Sequence, residues 1–218
     1  FSNGLFSCAK KYNVELIGGD TTKGSLSISI CILGEVLKKN VLLRSNAKEG
    51  DDIWVTGELG LAALGLANLQ NKVQLPKSLS IKAIAALEKP MLHSKIIKKM
   101  AKLSHSAIDI SDGVIADLNH ILKASKVGAD LFLNDMPVNS WIKKNTLFDI
   151  CLSGGDDYQL LFTAPKKNRN KVNLMSKLPL IKLTRIGVIK KDKCLNILDA
   201  NGSRYKIKKR GYDHFETK

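Results

Sequence analysis

One stretch limits the fold more than any other: Ala107-Ile108-Asp109-Ile110-Ser111-Asp112-Gly113-Val114. An apolar run ends in an acid-rich turn, and apolar residues then recur at Val114, Ile115, Leu118, Ile121 and Leu122. That spacing predicts a strand that turns directly into a helix with one buried face. Ser111 and Asp112 stand where a helix N-cap would be, and Gly113 frees the backbone beside them. A helix N-terminus favours anions, so phosphate oxygens are expected there. Two carboxylates at the same place would repel bare phosphate. They suit a Mg²⁺ ion held between acid and phosphate, because Mg²⁺ takes a few carboxylates and completes its octahedron with phosphate oxygens and water. Taken alone, the stretch reads equally well as a capped helix with Asp109 closing the strand.

Two further turns repeat the theme. Val14 to Ile17 reads as a short strand running into Gly18-Gly19-Asp20-Thr21-Thr22-Lys23-Gly24, and Ile150-Cys151-Leu152-Ser153 runs into Gly154-Gly155-Asp156-Asp157-Tyr158. Glycines before an acid let the backbone approach a ligand closely, and threonines add hydroxyl donors. No Ser-His-Asp order and no reactive-cysteine context accompanies these acids. Clustered carboxylates without a nucleophile suit phosphoryl transfer, which is mainly positioning and charge neutralisation by metal. Neither G-x-x-x-x-G-K-[ST] nor the protein-kinase motifs occur.

The remaining pattern predicts mixed elements. Phe1 to Asn13 reads as the end of a helix and Leu26 to Val36 as an alternating strand. Lys38-Lys39-Asn40 breaks that alternation and marks the expected domain boundary, giving residues 1–40 and 41–218. Strands are expected at Ile53 to Thr56, Ala129 to Leu133, Tyr158 to Thr163, Lys182 to Ile189, Leu195 to Leu198 and Tyr205 to Ile207. Helices are expected at Gly57 to Gln70, Lys77 to Leu87, Ser94 to Leu103, Pro137 to Lys144 and Asn168 to Lys177. Arg44 lies between two such elements, where a guanidinium could clamp phosphate or pair at the surface.

No stretch of the 218 residues approaches the roughly 18 unbroken apolar residues of a membrane span. The start at Phe1 shows no basic-then-apolar leader and reads as the middle of a longer protein. Cys8, Cys31, Cys151 and Cys194 are scattered, as are the histidines, which argues against zinc and a disulfide framework and for a reducing cytoplasm. The net charge of +15 comes mostly from lysine spread along the chain. A basic nucleic-acid-binding module is the alternative this charge raises. Aromatics are few and not interleaved with the lysines, which argues against stacking on single strands. Dispersed lysine instead raises the local concentration of phosphorylated substrates.

Ile17 to Gly24, Leu43-Arg44-Ser45-Asn46-Ala47, Ile108 to Gly113, Ser153 to Tyr158 and Gly211-Tyr212-Asp213-His214-Phe215 follow one another in a set order. In that order and spacing the chain resembles the thiamine-monophosphate kinase family, within the superfamily of aminoimidazole ribonucleotide synthetase and selenophosphate synthetase. The resemblance implies an α+β fold: the end of an N-terminal α/β domain that binds ATP and metal, then a C-terminal mixed α/β sandwich of the aminoimidazole ribonucleotide synthetase type. It implies phosphorylation of thiamine monophosphate by ATP with Mg²⁺, a sister ATP-dependent enzyme being the alternative. By the same resemblance Asp20, Asp109 and Asp112 are metal ligands. Gly19, Asp20, Arg44 and Ser111 are ATP contacts, and Asp156 and Tyr212 contact thiamine monophosphate, with the C-terminal tail expected to dock near Asp156. The family's N-terminal portion, with its own magnesium motif and its dimer surface, is expected before Phe1. This chain by itself is then expected to be weak or inactive, and a homodimer is expected of the full-length protein. Lys89-Pro90-Met91-Leu92-His93 departs from the arginines that relatives often carry around the proline, so no anion contact is carried over there.

Overall fold

The computed structural model describes residues 1–176 and 181–207. It divides into two compact units, Phe1–Glu35 and the chain from Val36 onward. The first unit holds α1 (Ser2–Tyr12), which ends at Asn13 in the left-handed conformation with Val14 N–H returning to the Ala9 carbonyl at 2.9 Å. The strands expected at Val14 to Ile17 and Leu26 to Val36 do not form. Leu26, Ile28, Ile30 and Ile32 keep their alternation but all four are exposed. A strand needs a neighbour for its backbone groups, and no described strand pairs with this segment.

The second unit is built on a six-stranded mixed sheet. In chain order it contains β1 (Asp52–Thr56), α2 (Leu61–Leu69), α3 (Lys77–Glu88), α4 (Ser94–Ala101), β2 (Ser106–Ile110), α5 (Val114–Ser125) and β3 (Gly128–Phe132). It continues with α6 (Ser140–Lys144), α7 (Phe148–Ser153), β4 (Gln159–Ala164), α8 (Arg169–Ser176), β5 (Leu183–Lys190) and β6 (Leu195–Leu198). The strand order is β2-β4-β1-β5-β3-β6, antiparallel throughout except for the β3–β6 pair. The stretch expected as a strand from Tyr205 forms none among the described residues; next to it Arg204 bridges to Leu198, and Tyr205 N–H donates to the Ile197 carbonyl.

Helices cover both faces. Ile53, Val55, Ile108, Ile110 and Leu161 meet α5 through Val114, Leu118 and Ile121. Trp54, Phe162 and Ala164 meet Ile96 and Met100 of α4 and Val172 and Met175 of α8 on the other side. With both faces covered, β1 is buried at every position, which is why its central Ile53-Trp54-Val55 run is apolar without alternation. At one end of the sheet, Asp52 is fully buried and bonded by Arg169 Nη2 at 2.6 Å and Arg185 Nε at 2.6 Å, while Asp51 accepts from His105 and from Lys48 N–H. The acid pair at 51–52 is thus tied into the structure at the end of the sheet opposite the 154–158 glycine turn.

Candidate active site

Because β2 and β4 are antiparallel, the end of β2 and the start of β4 share one edge of the sheet. The two acid turns of this unit meet there. Asp156 N–H donates to the Ser111 carbonyl at 2.8 Å, and Tyr158 N–H donates to the Ile110 carbonyl at 2.8 Å. A Cβ on Gly155 would collide with the Ser111 carbonyl oxygen, and one on Gly113 would lie 2.9 Å from the Ser153 carbonyl carbon. Small residues here are therefore a condition for the loops to cross. Asp156, at φ +66, is a non-glycine residue in the left-handed region, a conformation held against its own preference.

The acids of the crossing divide by environment. Asp157 is 5% exposed and turns inward, accepting Gly60 N–H at 2.6 Å and Ala62 N–H at 3.3 Å, at the start of α2. Burial is the largest influence on it and, despite those bonds, pushes its carboxyl up to about 6. Asp117, 2% exposed in the first turn of α5, reaches back so that its Oδ2 accepts the N–H groups of Ser111 at 3.0 Å, Asp112 at 3.0 Å and Gly113 at 3.1 Å. Burial again leads in raising its carboxyl, the bonds oppose, and the charges of Asp112 and Asp109 add to the rise.

The start of α5 thus differs from the expected capped phosphate site. Its N-cap is Gly113, without a side-chain cap, and the N–H groups that would hold phosphate are taken by Asp117. Sequence reasoning missed Asp117, although an acid on the apolar stripe Val114, Leu118, Ile121 is a legible sign of a buried anchor.

The structure brings Asp109, Ser111, Asp112 and Asp156 to one edge. Asp109 is exposed on the edge strand β2, and Ser111, Asp112 and Asp156 are half-buried. The turn holding Arg44 is elsewhere: Ser125 Oγ donates to the Arg44 carbonyl at 2.8 Å and accepts Ala47 N–H at 3.1 Å. That clip sits at the opposite end of the 12-residue α5 from Asp112, about 18 Å away by helical rise. Gly19 and Asp20 lie exposed in the first unit. Tyr212 and the tail expected to dock near Asp156 lie outside the described residues.

Carboxylate oxygens are the donors a hard cation takes. Among the described residues no three Asp, Glu, His or Cys side chains converge on one point. Asp109 and Asp112 fit Mg²⁺ in its usual mode, one or two carboxylates with phosphate and water making up the rest, and not as a protein cage. Beside Asp157, Gly57, Glu58, Lys82, Lys89 and His93 line a cavity of about 390 Å³. His93 Nε2 lies 2.6 Å from Gln159 Oε1, which also accepts the Thr56 hydroxyl. Burial pushes the His93 imidazole down, and its contact with Gln159 ties this part of the Lys89 to His93 segment into the wall. Cys151 is no nucleophile: burial, with Asp157 and Asp149 nearby, pushes its thiol up.

Residues 48–199 match the family described as AIR synthase related protein, C-terminal domain, the class that this sheet and its crossed acid loops define. A thiamine-monophosphate kinase of Buchnera aphidicola subsp. Schizaphis graminum is 43% identical over 226 residues, which cover 99% of this chain and 68% of that protein. The chain belongs to the thiamine-monophosphate kinase family and spans about two thirds of the length of that relative. The crystal structure of thiamine-monophosphate kinase from Stenotrophomonas maltophilia superposes with a TM-score of 0.81 at 30% identity, covering 94% of this chain and 67% of that one. A structure described as AaThiL complexed with AMPPCP and TMP gives 0.65 at 27% identity over 80% of this chain and 54% of that one. No described helix is long and apolar enough to cross a membrane.

Proposed function

We propose that this chain contributes to an active site that phosphorylates thiamine monophosphate from ATP. The observation that supports it most is the division of acids at the crossed loops. Asp117 and Asp157 are bound to backbone N–H groups, which leaves Asp109, Asp112 and Asp156 to face a ligand. A phosphate oxygen of thiamine monophosphate attacks the γ-phosphorus of ATP, the bond to the β–γ bridging oxygen breaks, and ADP leaves. Bound Mg²⁺ would neutralise the charge of the transferring group. Asp109 and Asp112 hold the metal–nucleotide from the end of β2. Asp156 orients the thiamine substrate from the facing turn. By the family resemblance alone, Gly19, Asp20, Arg44 and the Ser111 hydroxyl would contact the nucleotide, Tyr212 would contact the thiamine substrate, and Asp20 would be a metal ligand. A cytoplasmic home and a homodimer of the full-length protein belong to the same reading.

Incubating the full-length protein with ATP, Mg²⁺ and thiamine monophosphate is expected to give thiamine diphosphate and ADP. Asp112→Asn should cut turnover by about 10²-fold or more with an unchanged melting temperature, since charge is lost at the transition state and no packing is disturbed. Formation of aminoimidazole ribonucleotide or selenophosphate from their precursors, with no thiamine diphosphate, would move the protein to a sister activity.

A further inference from the structure

The start of α5 presents three consecutive N–H groups, from Ser111, Asp112 and Gly113, converging on one point. Such a hollow ordinarily binds a phosphate or another free anion. Here it is filled from within the protein. Asp117 lies four residues further along the same helix, where its side chain can reach back over one turn, and a single oxygen takes all three bonds at 3.0–3.1 Å. At 2% exposure this carboxylate is out of contact with solvent.

Asp117 is also not a third member of a metal cage, because no three acidic, histidine or cysteine side chains converge among the described residues. Its effect reaches the ligand through the loop. The N–H groups it holds are those of Ser111 and Asp112 themselves, and the carbonyl of Ser111 is in turn the acceptor for Asp156 N–H at 2.8 Å. One carboxylate therefore sets the backbone that carries Asp112, ends the strand that carries Asp109, and seats the facing turn with Asp156.

We propose that Asp117 is a positioning residue for the metal–nucleotide. Its buried carboxylate fills the anion hollow at the start of α5, fixes the Ser111 to Gly113 backbone, and keeps the nucleotide phosphates off these three N–H groups, so that they would meet the loop through metal held by Asp109 and Asp112. This inference rests on the phosphoryl-transfer reading above. It has a consequence for substitution chemistry. All three bonds go to one oxygen, so an amide oxygen can still accept them, more weakly, whereas alanine leaves three N–H groups without an acceptor. Partners that orient ligand-bearing groups usually cost 10- to 100-fold in metal affinity when removed.

The test compares wild type, Asp117→Asn and Asp117→Ala in the full-length protein, with Mn²⁺ affinity measured by electron paramagnetic resonance in the presence of ATP, below each variant's melting temperature. Asp117→Ala is expected to weaken Mn²⁺ by about 10- to 100-fold and Asp117→Asn by about threefold to tenfold. KM for metal–ATP should rise in step, and KM for thiamine monophosphate should rise less, because Asp156 is seated one hydrogen bond further away, through the Ser111 carbonyl. Should the alanine variant fail to fold, the asparagine variant decides on the same readouts. Wild-type Mn²⁺ affinity in either folded variant would overturn the inference. So would an asparagine effect as large as that of alanine, because it would make the charge itself a ligand. A wild-type protein that binds no Mn²⁺ with ATP would instead sink the phosphoryl-transfer reading.

Discussion

Gly155→Ala tests whether the crossing of the two acid loops is what assembles the site. An ideal Cβ at Gly155 would sit well inside 3.0 Å of the Ser111 carbonyl oxygen, with the Ser111 carbonyl carbon at 3.3 Å and Asp112 Cα at 3.4 Å. All three obstacles are backbone, so none can rotate aside. Restoring ordinary contact requires the loops to part by more than half an ångström, which takes Asp156 N–H out of bonding range of the Ser111 carbonyl, now 2.8 Å away. Overpacking of this size costs about 1–3 kcal/mol and the lost bond about 1 kcal/mol more. For a unit of this size, that is a fall in melting temperature of about 5–15 °C. The larger effect is on geometry. A shift approaching 1 Å between Asp112 and Asp156 costs about 10²-fold in turnover. Steady-state kinetics and a thermal melt of the full-length protein read both numbers. Gly4→Ala, in open space on α1, is the control and should change neither. Turnover within threefold of wild type, with a melting temperature within a degree, would show that the loops do not need this contact.

Two further outcomes concern the buried carboxyls. Asp157, raised to about 6 from the usual 3.8, binds more protons folded than unfolded between those values. Stability from this group is therefore complete below about pH 4 and is lost as pH rises through 6, by up to about 3 kcal/mol. Asp157→Asn should lower stability overall, by turning one acceptor into a donor facing Gly60 or Ala62, yet flatten that slope in denaturant melts. An unchanged slope would locate the proton elsewhere. Asp52 has the opposite sign. Burial alone would raise its carboxyl, but the bonds and charges of Arg169 and Arg185 outweigh it and leave it below the ordinary value. Its stabilisation holds above about pH 4 and is lost on acidification. Asp52→Ala should cost about 2–4 kcal/mol at neutral pH, discounted because both arginines are about a third exposed and can rehydrate. Parallel acid unfolding of the variant and wild type below pH 4 would rule this out.

The β2–turn–α5 unit was legible because its signals are local: an apolar run, a glycine, then spacing of three and four. The failures were of partners. Leu26 to Val36 alternates like a strand, but alternation specifies a face and not a neighbour, and without a described neighbour the segment stays open. α7 has no sequence signal of its own, because its last four residues, Ile150-Cys151-Leu152-Ser153, run straight into the glycine pair. The acids were all visible, but their roles were not, since an Asp bound to N–H groups reads the same as an Asp facing solvent. Asp157 accepts from Gly60, the N-cap of α2, 97 residues earlier in the chain, and no local pattern announces that. Arg44 was placed by its motif near the nucleotide, while the bond that positions its turn comes from Ser125, 81 residues on.

The arrangement also answers an electrostatic problem. Asp109, Asp112, Asp117, Asp156 and Asp157 would, if all left free on two touching loops, repel one another and drive the loops apart. Two of the five are withdrawn from that repulsion. They are buried and compensated by backbone N–H groups, so their charge is spent on holding geometry, and their tendency to take up protons marks how far burial has gone. The three that remain stand on backbone fixed by the other two. A loop with only ligand acids would need its metal in order to close. A loop with inward acids as well is closed without a metal, so on the proposed reading binding energy would not be consumed in ordering it. For the proposed phosphoryl transfer, which depends on placing two phosphates in line, that preorganisation would be the contribution these residues make to rate.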